Sequence, residues 1–191
     1  MTNTTTKSIA YPPGGILIWI IIYLELITFG MAMVALAYYG MQERALFHHD
    51  SQLLNKEIAT INTIFLITGG FFAAKAVHCF KAKNIDRSAR MLLWAMLAGV
   101  GFLLLKMFEY YGKLEAGLSM DYSSFYMNYW LLTGFHWIHV FVGVIILFFI
   151  RRSIVHKKEL ATIEDIEAGV AFWHMCDLIW LLLFPILYLL F

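Results

Sequence analysis

The chain has 191 residues, 61% of them hydrophobic, 17% aromatic and 14% charged. Soluble domains are roughly half apolar and a quarter charged, so this composition points to a membrane protein and away from a water-soluble enzyme. A net charge of +1 offers no basic footprint for nucleic acid, which is not expected as a partner.

Five apolar stretches, at residues 16–39, 57–80, 88–111, 125–150 and 168–191, each reach the roughly 20 residues that a helix needs to cross a bilayer core of about 30 Å. Short polar connections join them, so the expected architecture is an all-α membrane protein with one domain over residues 1–191. The leading "MTNTTTKSIAYPPGG" has one lysine, and its Pro-Pro-Gly-Gly precedes an apolar run longer than a signal core. The first helix is therefore expected to persist in the mature protein.

The first span holds Glu25 in "IIYLELITFG", near mid-span and without a basic residue within helical reach. An unpartnered carboxyl at that depth favours its neutral, hydrogen-bond-donating form. Two readings stay open: a proton-linked or lipid-contacting site, and a protonated acid bonded to a backbone carbonyl. His48 and His49, in the following loop, read as solvated.

The second span, "INTIFLITGGFFAAK", pairs Gly69 with Ala73 and Gly70 with Ala74, and the third pairs Ala95 with Gly99. Such small-xxx-small spacings let helices approach closely. Near its outer end the third span places Lys106 and Glu109 three residues apart, the spacing of an internal ion pair. The fourth carries "TGFHWIHVFVG", whose His136 and His139 share a helix side about 60° apart. In the fifth, "WHMCDLIW" sets His174 and Asp177 three apart, while Trp173 and Trp180 share a face. Cys79 and Cys176 are isolated in apolar runs and form no zinc or disulfide pattern. Tyr38–Tyr39, Tyr110–Tyr111 and the cluster from Tyr126 to Trp130 read as interfacial belts.

A charged side chain at mid-bilayer costs about 2.5–3.5 kcal/mol. Glu25, Lys106, Glu109 and Asp177 must therefore face one another, a neighbouring subunit or a hydrated crevice. Basic residues give the orientation. Lys7, Lys81, Lys83, Arg87, Arg90, Arg151, Arg152, Lys157 and Lys158 share one side, nine residues against Arg44, Lys56 and Lys113 on the other. The positive-inside rule then places the N-terminus in the cytoplasm and the C-terminus outside.

Spacing alone leaves several uses for the histidines. His136 or His139 could face His174 across a b-type heme. His136, His139, His174 and Asp177 could hold a metal. All of them could be hydrogen-bonded structural groups. A proton-coupled transporter using Glu25 and Asp177 is a further class, but the chain lacks the internal repeat common in such folds.

Five motifs, in order, resemble subunit III of the heme–copper oxidases: "LELITFG" with Glu25, "INTIFLITGG" with Asn62 and Thr63, "FEYY" with Glu109, "TGFHWIHVFVG", and "EAGVAFWHMCDLIWLLLF" with Glu167, Trp173, His174, Asp177 and Trp180. The resemblance covers nearly the whole chain and matches the short, five-helix bacterial form. It implies a V-shaped bundle around a lipid-filled cleft, with Glu25, Trp173 and Trp180 as cleft residues. It also implies no heme or metal in this chain: those belong to a partner catalytic subunit, oxidase subunit I or a nitric oxide reductase large subunit. Structural phospholipid and the bacterial cytoplasmic (inner) membrane complete the expectation. Leu24 in place of a usual serine, the intramembrane Lys106 and the lead-in "ATIEDIEAG" to the last helix depart from the respiratory pattern, and the chain ends in "LLLFPILYLLF" with Pro185. The ending is closer to the nitric-oxide-reductase-associated group.

Overall fold

The structure, a computed structural model, describes residues 12–156 and 162–191. Lys7, Lys157 and Lys158 of the charge argument, and residues 1–11 of the leading segment, lie outside the described residues. Six helices follow in order: α1 (Ile16–Gln42), α2 (Arg44–Gln52), α3 (Lys56–Lys81), α4 (Ile85–Glu115), α5 (Ser124–His156) and α6 (Ile163–Tyr188). The five long ones are apolar enough to cross a membrane and coincide with the five predicted spans. The sixth, α2, lies where the sequence predicts a loop. It is nine residues long, too short and too polar to register as a span.

Local chemistry explains where the helices begin and end. The Asn55 side chain accepts from the Ile58 N–H and Asn84 from the Arg87 N–H, each capping a helix start. Thr162 and Asp165 form a reciprocal capping box at α6. Between α3 and α4, Lys83 takes φ +58°, a left-handed turn residue that lets the chain double back within a few residues.

Two layers result. α1, α6 and α3 lie side by side, with α6 in the middle, and α5 and α4 pack behind them. The buried hydrophobics run through all six helices as one core. α6 is the helix with the most buried span. Small residues bring α3 and α4 together as predicted: Gly69, Ala73 and Ala95 are buried, and Ser88 Oγ donates to the Ala76 carbonyl at 2.9 Å. Ala74 is exposed instead, so its pairing with Gly70 does not form part of a helix contact.

Trp173 of α6 fills the space that these glycines leave. A methyl group at Gly69 of α3 would lie 3.0 Å from its indole, and one at Gly143 of α5 3.2 Å; Gly99 of α4 is closed by the same ring. Three helices thus share one indole as their common spacer.

Candidate functional site: the buried polar network

The densest polar cluster surrounds Lys106. Its ammonium donates to Glu109 Oε2 at 2.9 Å, Tyr129 Oη at 3.0 Å and Tyr188 Oη at 2.8 Å, which uses all of its donors. Both phenols donate onward to Glu109 Oε1, each at 2.9 Å. Lys113, one turn along, stands 3.2 Å from the same oxygen. The rings of Tyr110, Tyr129, Trp180 and Tyr188 lie 5.0–5.5 Å from the Lys106 ammonium, so aromatic faces replace part of its lost hydration. Lys106, Glu109 and Lys113 are all buried.

The predicted Lys106–Glu109 pair is therefore present, but as part of a larger unit. Lys113, counted as a loop charge, is inside the bundle. Tyr129, read as belt, is inside as well, and so are Tyr110 and Tyr126. Lys113 could have been found from its i+4 spacing to Glu109. Tyr188 comes from 79 residues away and carries no such local signal.

A second pair joins α1 to α5. His139 Nε2 approaches Glu25 Oε2 at 3.2 Å, off the line of a straight hydrogen bond. His139 Nδ1 bonds the Phe135 carbonyl at 2.8 Å, which assigns the proton to Nδ1 and leaves Nε2 toward the carboxyl. Glu25 is thus not the isolated acid that its own helix suggests: its partner, His139, comes from another helix. One turn along, an apolar groove of about 310 Å³ opens between α1 and α5, lined by Thr28, Phe29, Ala32, Asn128, Leu132 and Phe135.

His136 has a different environment. It is fully buried, stacked on Trp180 with centroids 5.4 Å apart and edged by Phe102 at 5.8 Å. Among the described residues, neither ring nitrogen has a hydrogen-bond partner, and neither has the buried Asn62 amide. The expectation of a hydrogen-bonded structural histidine is corrected here: aromatic packing alone holds His136. Trp180 donates to Thr63 Oγ1 at 2.9 Å, and Thr63 in turn donates to the Ala59 carbonyl at 2.9 Å. Trp173 and Trp180 are both completely buried, so the bundle interior takes up the indoles expected at a lipid cleft.

At the far side of α6, His174 Nδ1 lies 3.3 Å from Asp177 Oδ2, as their spacing predicted. Gly70 of α3 gives this carboxylate its room, since a side chain there would collide with Asp177 Oδ2. Glu167, at the start of α6, pairs with Lys81 of α3 at 2.8 Å. His48 and His49 are not simply solvated: His48 Nδ1 meets the Phe191 carbonyl, and His49 Nδ1 lies 3.0 Å from Asp50 Oδ1.

No group of three or more His, Cys, Asp or Glu placed to hold a metal occurs among the described residues. Glu25, Lys106, Glu109, Lys113, His139, His174 and Asp177 instead find partners inside this chain.

The sequence pattern of Cytochrome c oxidase subunit III matches residues 16–190. The chain belongs to that family. Among curated relatives, Cytochrome c oxidase subunit 3 of Prototheca wickerhamii is 34% identical over 139 residues, which cover 72% of this chain and 52% of the relative. That of Loxodonta africana is 33% identical over 134 residues, 69% of this chain and 50% of the relative. The chain spans about half the length of these relatives. The Heme-copper oxidase subunit I+III of Aeropyrum pernix is 27% identical over 179 residues, 90% of this chain and 22% of that protein. Family membership and five apolar helices make this an integral membrane protein.

Proposed function

We propose that the chain is a non-catalytic, subunit III-like component of a heme–copper respiratory complex, bound in the membrane to the catalytic subunit that carries the heme and copper. The family match over residues 16–190 carries this reading. The relative named as subunit I+III supports the choice of partner, since its name joins the two subunits in one protein. The side chains support it as well. Lys106, Glu109 and Lys113 satisfy one another, Glu25 meets His139 and His174 meets Asp177. The three histidines weighed as heme ligands sit in separate surroundings, which favours a scaffold over a porphyrin site.

The chain's part in turnover is to stabilise the complex and offer a lipid-like route for an apolar gas, with Glu25–His139 as the proton-exchanging element beside the groove between α1 and α5. The V-shaped arrangement and bound phospholipid belong to the same reading. So does an N-terminus in the cytoplasm of a bacterial cell. Lys81, Lys83, Arg87, Arg90, Arg151 and Arg152 lie toward one end of the bundle, where Lys81 meets Glu167 and Arg151 Nε donates to the Ala89 carbonyl. That end would face the cytoplasm. Between the two partners, the intramembrane Lys106 and the Pro185 ending favour a nitric oxide reductase large subunit over oxidase subunit I.

Purification in mild detergent tests the proposal. A heme-bearing catalytic subunit should travel with the chain, and mass spectrometry should identify it as oxidase or nitric oxide reductase. A preparation free of heme protein even after crosslinking contradicts the assignment.

A further inference from the structure

The two layers of the bundle differ in what they show to the membrane. Behind, the exposed mid-span residues of α4 and α5 are apolar, among them Leu97, Leu104, Phe108, Leu131, Ile138 and Phe141. In front, α1 and α3 both pack on α6 without meeting each other, which leaves one stripe of α6 uncovered. That stripe is His174, Leu178 and Leu181, spaced i, i+4 and i+7 and all exposed. The His174 side chain is 46% exposed. Among the described residues of the five long helices, other exposed Lys, Arg, His, Asp and Glu side chains lie within two turns of a helix end. His174 lies at mid-span.

From this asymmetry we infer that the front face, along the His174–Leu178–Leu181 stripe of α6, is where a transmembrane helix of the catalytic subunit docks. The inference rests on the function proposed above and names the surface it uses. An acyl chain offers no polar atom at mid-depth, so lipid there would leave a half-exposed imidazole facing hydrocarbon. A helix offering a hydroxyl or amide donor answers that need. Asp177 accepts the proton on His174 Nδ1, so Nε2 is left as an acceptor on a half-exposed side chain. The leucines on either side supply the apolar seam of a helix contact. Among the described residues, the back layer shows no exposed charged or imidazole side chain at mid-span, where its surface suits lipid.

The intact complex in its native membrane tests this. A photoreactive phenylalanine analogue replaces Leu178 or Leu181 in front, and Leu104 or Phe141 behind. Illumination should attach the front positions to the heme-bearing subunit and the back positions to lipid. Front positions that label only lipid, or back positions that capture the subunit, overturn the docking face in a preparation that contains the subunit. A wild-type preparation with no heme-bearing protein overturns the proposed function, and this inference with it. Separately, Leu178→Trp, which leaves the His174–Asp177 pair intact, should lower partner recovery about tenfold while the thermal transition of the chain itself stays in place. Full recovery removes Leu178 from the contact.

Discussion

Lys106 and Glu109 meet at 2.9 Å with neither side chain reaching the surface of the bundle. Yet the carboxylate serves more partners than the ammonium does. Glu109 answers two cations and two phenols, whereas Lys113 still stands beside Glu109 if Lys106 is removed. Glu109→Gln therefore leaves two buried ammonium groups without a counter-charge, a loss of about 3–5 kcal/mol. Lys106→Met should cost less, about 1–3 kcal/mol, mainly through unpaired hydrogen-bonding groups. Thermal unfolding in detergent measures the order, and a Lys106→Met variant less stable than Glu109→Gln would refute it.

The indole of Trp173 and the glycines around it form one packing unit. Gly99→Ala should destabilise the bundle because its new methyl meets that ring, and Trp173→Ala should cost about 3–5 kcal/mol through the cavity it leaves. Combined, the two substitutions should be less harmful than their sum, since the small side chain removes the clash. Strict additivity in a double-mutant cycle would show that the contact does not matter.

Glu25 is partly exposed and has His139 3.2 Å from its carboxyl. A hydrophobic carbodiimide should modify it slowly in the native protein and faster in His139→Leu, which removes the group 3.2 Å from the carboxyl. Mass spectrometry of the peptide that contains Glu25 gives both rates. Equal rates would mean that His139 does not shield the acid.

Thr162→Ala breaks the capping box that starts α6 and should lower stability by about 1 kcal/mol. Lys81→Met removes a half-exposed partner of Glu167 and should cost at most about 1 kcal/mol, less at high salt. A large effect of Lys81→Met, insensitive to salt, would show that the pair is shielded more than its exposure indicates.

The spans and the short-range pairs were legible in the sequence because each depends on spacing within one helix. Apolar runs of about 20 residues mark the long helices, and i, i+3 spacing marked Lys106–Glu109 and His174–Asp177. What escaped depends on neighbours brought together by tertiary packing. Glu25 looked unpaired because His139 is on another helix. Tyr129 reads as an interfacial aromatic and Tyr188 carries no signal of its own, yet both hydroxyls bond Glu109 and Lys106. α2 escaped because a short helix is held by its surroundings: Phe47 packs between Phe125 and Phe191. His136 departs in the other direction, since a buried imidazole is usually hydrogen-bonded and this one packs on Phe29, Phe102 and Trp180 without a hydrogen-bond partner among the described residues.

The central claim is that these intramembrane acids and imidazoles brace a scaffold whose redox cofactors reside next door. An optical spectrum taken as the purified complex is separated into its chains tests it most directly. The account predicts that all heme absorbance follows the catalytic subunit and that the 191-residue chain shows no Soret band. A Soret band carried by this chain and lost in His174→Ala would contradict it.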